Sequence, residues 1–209
     1  MPTNPNAGER NRPYHHGDLR RVLLEAAVEA ILESGPAAVS LRDLARRAGV
    51  SHAAPAYHFG DKVGLLTAVA ADGFWRLAAT LREAYEATGS FLEVGVAYVR
   101  FAVANQAHFE VMFRPELYRQ DDPELSRARQ ASRALLYSPL AGASEPGSDE
   151  LRTAVAGWSL VHGLATLWLG QNLPPQLGDD PEQIAREVAR GLFQPRDLQP
   201  RGSTRPSGR

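Results

Sequence analysis

Histidine is the side chain of this sequence best suited to metal binding or proton transfer near neutral pH. The six histidines are His15, His16, His52, His58, His108 and His162. None belongs to a His-Glu-x-x-His pattern, and no Gly-x-Ser-x-Gly elbow, phosphate-binding loop or dinucleotide fingerprint is present. We therefore expect no catalytic site, no cofactor and no metal site. A metal sensor that uses His108 and His162 is an open alternative.

The composition sets wider limits. Cysteine is absent, which excludes disulfides, thiolate metal sites and cysteine nucleophiles. Of the 209 residues, 44% are hydrophobic and 22% are charged, with a net charge of −1. This balance allows a sizeable core and excludes a polybasic, histone-like protein. It still allows a local basic face, because the local field governs docking on phosphate.

A membrane span is not expected. The most apolar stretch, 154–169, has 16 uncharged residues, whereas a span needs about 20. We expect a buried core helix there. The polar N-terminus lacks a secretory signal pattern, so the expected protein is soluble and cytoplasmic.

Segment 40–59 (SLRDLARRAGVSHAAPAYHF) carries the informative pattern. Ser40 followed by Asp43 is a capping-box arrangement that begins a short helix. Gly49 supplies a position where φ can be positive, so the chain can turn sharply. This spacing is typical of the first half of a helix-turn-helix.

The second half of the pattern follows at once. Val50 can fill the space between two crossing helices, and Ser51 can cap the next helix. That helix would present residues 51–57 to a DNA major groove. An ordinary helical corner is the alternative, because helices that end in Gly are often followed by Ser.

Positive charge surrounds this second helix in the form of Arg42, Arg46 and Lys62, the sole lysine. Lys62 falls at a predicted helix N-terminus, where backbone N–H groups and the helix dipole also favour phosphate. Acidic residues of the first helix recur every four positions and can face away from a ligand: Glu25, Glu29 and Glu33.

Helical periodicity runs through the chain, and no strand alternation is evident. We predict an all-α fold of about nine helices. Beside the two helix-turn-helix elements, the expected helices cover about 18–34, 61–88, 91–105, 122–137, 149–171 and 181–193, with a short turn at 109–113. The first has an apolar stripe of Leu19, Val22, Leu23, Ala26, Ala27, Ala30 and Ile31.

Four regions follow from this pattern: a disordered arm (1–16), a helix-turn-helix domain (17–60), a longer helical domain (61–194) and a disordered tail (195–209). The tail has four arginines against Asp197. We expect it to be solvated, and a nucleic-acid-binding arm is the alternative.

The stretch from Leu19 to Phe74 resembles the N-terminal domain of the tetracycline-repressor (TetR) family of bacterial regulators. The match lies in the helix-turn-helix, the aromatic cluster that ends in Phe59 and the Lys-bearing helix start. Residues 109–117 (FEVMFRPEL) and the segment Trp158-Ser-Leu-Val-His162-Gly163 resemble one subgroup, named for its Trp-His-Gly segment.

The resemblance implies a homodimeric transcription regulator, usually a repressor, which binds palindromic double-stranded DNA and is released by a small-molecule effector. The implied DNA-binding residues are Arg42, Ser51, His52, Ala53, Tyr57, His58 and Lys62. The resemblance also implies that residues 61–194 form the ligand-binding and dimerisation domain and that its last two helices make the dimer contact. Candidates for that contact are Trp158, Val161, His162, Ala165 and Trp168.

This sequence departs from the family pattern at one place. The usual family tyrosine falls at Ala56, and the tyrosine here is at position 57, about 100° further round the helix. Pro55 is also unusual, although proline costs little within a first helical turn. Readout is then expected from His52, Tyr57, thymine-methyl contacts of Ala53 or Ala54, and DNA shape.

Candidate effector contacts are apolar residues with a few polar anchors, as in most ligand pockets. They are Trp75, Phe101, Asn105, His108, Met112, Trp158 and His162. Core packing is the alternative role for most of them. An enzyme and a helical adaptor that has lost DNA binding are the competing functions, the adaptor being motivated by Pro55 and Tyr57.

Overall fold

The computed structural model describes residues 16–137 and 148–193. Within these ranges the chain forms helices and no strand, which confirms the all-α prediction. The helices are α1 (His16–Ala38), α2 (Leu41–Arg47), α3 (Ala53–Phe59), α4 (Lys62–Thr88), α5 (Phe91–Ala104), α6 (Gln106–Met112), α7 (Pro123–Tyr137), α8 (Ser148–Leu169) and α9 (Pro181–Phe193). The predicted N-terminal arm, the C-terminal tail and the loop after Tyr137 lie outside the described residues.

Local signals fix most helix boundaries. The side chains of Ser40, Asp61 and Ser90 each accept the backbone N–H three residues on, at 3.2, 2.7 and 3.4 Å, which satisfies one free donor of each helix. Gly35 has φ 74 and ψ 164, so the regular path of α1 breaks where the sequence predicts it. A further turn extends the helix to Ala38.

One helix is longer than predicted. Residues 106–112 form α6, where the sequence indicated only a short turn around 109–113. Asn105, with φ −126 and ψ 46, bends the chain between α5 and α6. Its carbonyl then accepts the N–H of Phe109 at 2.9 Å. The predicted end of the preceding helix at about 105 is confirmed, whereas no Gly, Pro or capping pattern indicated that a new helix begins directly after it.

The central helix is α4, which contacts α1, α3, α5, α6 and α7. Its buried side chains include Leu65, Leu66, Val69, Phe74, Leu77 and Leu81. Burying each such side chain stabilises the fold by about 1.5–3 kcal/mol before entropy is counted. The predicted stripe of α1 adds Leu23, Ala27 and Ile31 to the same core. One helix thus joins the N-terminal helices to the rest of the molecule.

The apolar helix α8 is buried on one side only. Ala154, Val161 and Ala165 face the interior, whereas Val155 and Leu167 are exposed. The core-helix prediction is therefore confirmed for one face. In the described ranges, no helix combines the length and hydropathy that crossing a membrane requires.

An ion pair fastens α9 to the start of α5. Arg186 donates through Nε and Nη2 to the carboxylate of Glu93, at 3.1 and 3.0 Å. Hydrogen bonding from Arg186 lowers the pKa of Glu93. The same bond raises the pKa of Arg186.

We predict that Arg186→Gln lowers the free energy of unfolding by about 0.5–1 kcal/mol at neutral pH, because the pair is partly exposed. The pKa of Glu93 is lower in the folded chain, so this contribution is present above its unfolded pKa and is lost as the pH falls through its folded pKa. Urea unfolding at decreasing pH measures the difference from the unsubstituted protein.

The matched control is Arg152→Gln, because its pair with Asp149 is more exposed and should contribute little. If Arg186→Gln remained equally destabilising at about pH 2, where carboxylates are protonated, the ion pair would not be the cause.

Candidate nucleic-acid interface and ligand cavity

The turn between α2 and α3 has the expected geometry. Gly49 has φ 64, in the left-handed region, and the N–H of Val50 returns to the carbonyl of Ala45 at 3.0 Å. Val50 packs against the hydrophobic core, as the pattern predicts. These contacts set the angle at which α3 leaves α2.

The predicted side-chain cap from Ser51 is not formed. The helix α3 begins at Ala53, with His52 in the cap position and no side-chain hydrogen bond there. The carbonyl of Ser51 accepts the N–H of Ala54 at 3.0 Å instead. The backbone turn therefore satisfies a donor that the hydroxyl was expected to satisfy, and the Ser51 side chain stays exposed.

The recognition helix α3 presents an outer face of small residues and one large ring. Ala53, Ala56 and Tyr57 are exposed, while Pro55 and Phe59 are buried. Tyr57 is 81% exposed. Pro55 occupies the first turn, where its missing N–H removes no helical hydrogen bond. Of the two residues that depart from the family pattern, Pro55 therefore faces the interior and Tyr57 faces outward.

Histidines flank this outer face. His52 is exposed and His58 is half-buried. The rings of Tyr57 and His58 meet edge to face, 5.3 Å apart. His58 therefore lies beside Tyr57, and His52 is exposed at the start of α3.

Carboxylates neutralise part of the basic charge on α2. Arg47 donates to Glu33 and Asp43, each at 2.6 Å, and Arg46 also donates to Asp43. Hydrogen bonds from Arg47 lower the pKa of Glu33 and of Asp43. Arg42, by contrast, is exposed and makes no ion pair with the described residues.

Lys62 is the first residue of α4, as predicted, and already has a partner. Its Nζ donates to the carbonyl of Ala37 at the end of α1. The neighbouring Asp61 caps α4 and accepts a bond from Arg119 Nη2 at 2.7 Å. The N–H of Arg119 donates to Thr67 at 3.0 Å. Sequence reasoning missed Arg119, which lies 58 residues from Asp61 and belongs to no local motif.

A cavity of about 290 Å³ lies between α4, α6, α7 and α8. Its lining is mostly apolar and aromatic: Phe74, Leu77, Met112, Phe113, Pro115, Tyr118, Gln120, Arg129, Ser132, Arg133, Leu136, Tyr137 and Trp158. Two of the predicted ligand contacts, Met112 and Trp158, line this cavity. Trp158 also borders a second cavity, of about 300 Å³, between α5, α7, α8 and α9.

His162 lies in an aromatic cluster beside the first cavity. Its Nδ1 is 2.8 Å from the hydroxyl of Tyr98, and its ring centroid is 4.6 Å from that of Phe113. Burial lowers the pKa of His162 and raises that of Tyr98. The buried Nε1 of Trp158 finds no hydrogen-bond partner among the described residues.

Four predicted ligand contacts lie away from both cavities. Trp75 is exposed and donates to Glu124 at 2.7 Å, Phe101 is buried in the core, and Asn105 donates to the carbonyl of Phe101 at 3.0 Å. His108 is buried, with Nε2 3.0 Å from Asp72.

The two histidines of the metal-sensor alternative have different partners, His108 pairing with Asp72 and His162 with Tyr98. The described residues contain no group of three His, Cys, Asp or Glu side chains arranged to hold a metal ion. The geometry therefore gives the metal-sensor alternative no support.

Two family models match the chain. Residues 23–69 match the model described as bacterial regulatory proteins, tetR family. Residues 91–192 match the tetracyclin repressor-like C-terminal domain. The first match contains the whole turn between α2 and α3, and the second contains α5 to α8.

The chain is similar to several individual proteins. An HTH-type transcriptional repressor of Mycobacterium tuberculosis is 39% identical over 69 residues, which span 33% of this chain and only 37% of that relative. The regulator BetI of Escherichia coli is 29% identical over 174 residues, 78% of this chain and 86% of BetI. The structure of a Rhodococcus sp. RHA1 protein of unknown function is 37% identical, with a TM-score of 0.72 over 88% of this chain and 97% of that one.

We predict that Gly49→Ala lowers the free energy of unfolding by about 1 kcal/mol, because a Cβ is disfavoured at positive φ. No atom lies within 4 Å of the added Cβ, so the effect is one of backbone conformation. Gly49→Asn should recover part of the loss, since Asn tolerates the left-handed region. Urea unfolding followed by circular dichroism measures both, and an Ala variant as stable as the parent would contradict the assignment.

Proposed function

The chain belongs to the tetR family of bacterial regulatory proteins, and on that basis we propose that it is a homodimeric repressor released from a palindromic operator by a small-molecule effector. DNA binding and transcriptional regulation are the functions of this family. The observation that carries the proposal is the outer face of α3, where exposed Ala53, Ala56 and Tyr57 follow the sharp turn at Gly49.

Base contacts come from the outer face of α3. His52 and Tyr57 offer polar atoms to base edges. The methyl groups of the exposed Ala53 and Ala56 suit thymine methyls, whereas Ala54, predicted for that contact, is half-buried. Ser51 and His58 flank them. The charged residues Arg42 and Lys62 contact phosphates and set the orientation without reading sequence. The helix-turn-helix domain (17–60) supplies the base contacts, and the domain 61–194, which begins just before Lys62, binds the effector and forms the dimer.

The dimer forms through the outer face of α8 together with α9. Val155 and Leu167 are exposed there, with small side chains between them, such as Ala156 and Ser159, that permit close approach of a second helix. No Asp, Glu, Lys or Arg occurs between residues 155 and 167. A twofold axis on this face places two recognition helices on half-sites about 34 Å apart. The Trp158, His162 and Gly163 segment supports membership of the Trp-His-Gly subgroup.

Effector release uses contacts that join the first cavity to the DNA-binding half. Tyr118 lines the cavity, and its neighbour Arg119 binds the cap residue Asp61. Asp61 precedes Lys62, which is bonded to the end of α1. A ligand that displaces Tyr118 or α4 therefore shifts the recognition helix, and it acts only through its different affinity for the two states.

In vitro selection from random duplex DNA, at moderate salt, tests the function directly. We expect the purified protein to enrich a palindrome with half-sites one helical turn apart. Failure to enrich any sequence, by a protein shown to be folded and dimeric, would favour the adaptor function or a DNA-binding state that needs a ligand.

Two substitutions separate phosphate contact from base readout. Lys62→Ala should weaken binding to all sequences alike and reduce the salt slope by about one. His52→Ala should change the preferred base at one position of each half-site, with a cost of about 1–3 kcal/mol at that position. Binding curves on the selected operator and on single-base variants measure both, and a uniform loss from both substitutions would remove His52 from the readout.

We predict that Val155→Arg weakens the dimer by at least about tenfold, which corresponds to about 1.4 kcal/mol, because it buries an unpaired charge at the interface. Analytical ultracentrifugation across protein concentrations measures the equilibrium. Leu32→Arg is the matched control, since Leu32 is also an exposed apolar residue, 57% exposed against 42% for Val155, and lies on α1. Equal effects of the two substitutions would place the dimer contact elsewhere.

A further inference from the structure

The polar groups of the cavity between α4, α6, α7 and α8 are biased toward positive charge. Two arginines, Arg129 and Arg133, are among its lining residues, and no Asp or Glu is. Around them stand the rings of Phe74, Phe113, Tyr118, Tyr137 and Trp158. Most ligand pockets combine such an apolar lining with a few polar groups that select the ligand's chemistry.

Arg129 is a half-buried cation held without a carboxylate. Its Nη2 donates to the hydroxyl of Tyr118 at 2.6 Å. The guanidinium lies over the rings of Tyr118 and Phe74, at 5.0 and 5.7 Å from their centroids. No carboxylate of the described chain forms an ion pair with it. These neutral contacts orient the guanidinium and leave its charge uncompensated.

Arg133 lies one helical turn further along α7 and also makes no ion pair with the described residues. Like charges at this spacing repel by about 0.2–0.5 kcal/mol. Elsewhere on the same helix, Arg127 is paired with Glu124. Among the described residues, an arginine that does not line the cavity thus has a carboxylate partner, and the two arginines that line it have none.

We propose that this cavity binds a small organic anion, with a carboxylate between Arg129 and Arg133 and an apolar body among the aromatic rings. The inference rests on the proposed function, since it gives the chemical class of the effector. Arg129 supplies a fixed donor set at the inner position, and Arg133 closes over the carboxylate from the exposed side. Guanidinium groups suit this task because they match the geometry of carboxylates.

Binding at this position also reaches the DNA-binding half. A carboxylate competes with the Tyr118 hydroxyl for the donors of Arg129, and that hydroxyl itself donates to the carbonyl of Met112 at 2.8 Å. Tyr118 is followed by Arg119, which holds the cap of α4 through Asp61. An anion in the cavity therefore perturbs Tyr118, whose neighbour Arg119 is bonded to Asp61 at the start of α4.

The test uses three scaffolds, phenylacetate, 4-phenylbutanoate and 1-naphthylacetate, each compared with its neutral amide and its cationic amine. Isothermal titration calorimetry on the full-length protein gives the dissociation constants. We expect at least one carboxylate to bind at least about tenfold more tightly than its amide and its amine. Equal binding by the amide, tighter binding by the amine, or no binding by any member of the three series would overturn the proposal.

Two variants locate the site. Arg133→Gln should weaken carboxylate binding at least about tenfold and leave amide binding unchanged, because Arg133 makes no hydrogen bond or ion pair with the described residues that its loss would break. Arg127→Gln removes the same charge from the same helix and should leave carboxylate binding unchanged. An unchanged carboxylate affinity in Arg133→Gln would overturn the proposal and favour the second cavity.

Failure here is distinguishable from failure of the proposed function, because the DNA selection needs no ligand. If the protein enriches a palindrome but binds no carboxylate, the repressor function is supported and the anion site is contradicted. If carboxylate binding depends on Arg133 but the protein enriches no sequence, the anion site is supported and the repressor function is contradicted. If the bound carboxylate releases the selected operator, both proposals are supported and the anion is the effector.

Discussion

Burial of α4 is the constraint on which the rest of the structure depends. This one helix contacts α1 and α3 on the N-terminal side and α5, α6 and α7 on the other. Its N-terminus carries the cap Asp61, and further along the same helix Phe74 and Leu77 line a cavity. Because packed side chains have few alternative arrangements, the proposed effector release needs α4 to move as one body when a ligand enters the cavity.

Electrostatics explain how a chain of net charge −1 can present a face to DNA. The carboxylates of Glu33 and Asp43 both accept hydrogen bonds from Arg47, so their negative charge is partly neutralised within the N-terminal domain. Arg42 has no such partner in the described chain and stays available. The net charge of a chain is therefore a poor guide to its partners, since the pairing of individual groups decides which charges act on a ligand.

Local features of the fold were predictable, and contacts distant in sequence were not. The cap at Ser40, the break at Gly35 and the turn at Gly49 follow from residue type and nearest neighbours. The bond from Arg119 to Asp61 depends on how α7's preceding loop packs on α4, which no local pattern encodes. The candidate ligand residues divide for the same reason: residue type marked Trp158 and His108 equally, and only packing sets one beside a cavity and the other against Asp72.

Trp158 and Leu136 border both cavities, so these two side chains lie between the chambers. The buried indole nitrogen of Trp158 has no hydrogen-bond partner in the described chain, and its ring packs against those of Phe113 and His162. Ligand length in either chamber is therefore bounded by two apolar side chains from different helices, and smaller residues at both positions would merge the space on their two sides.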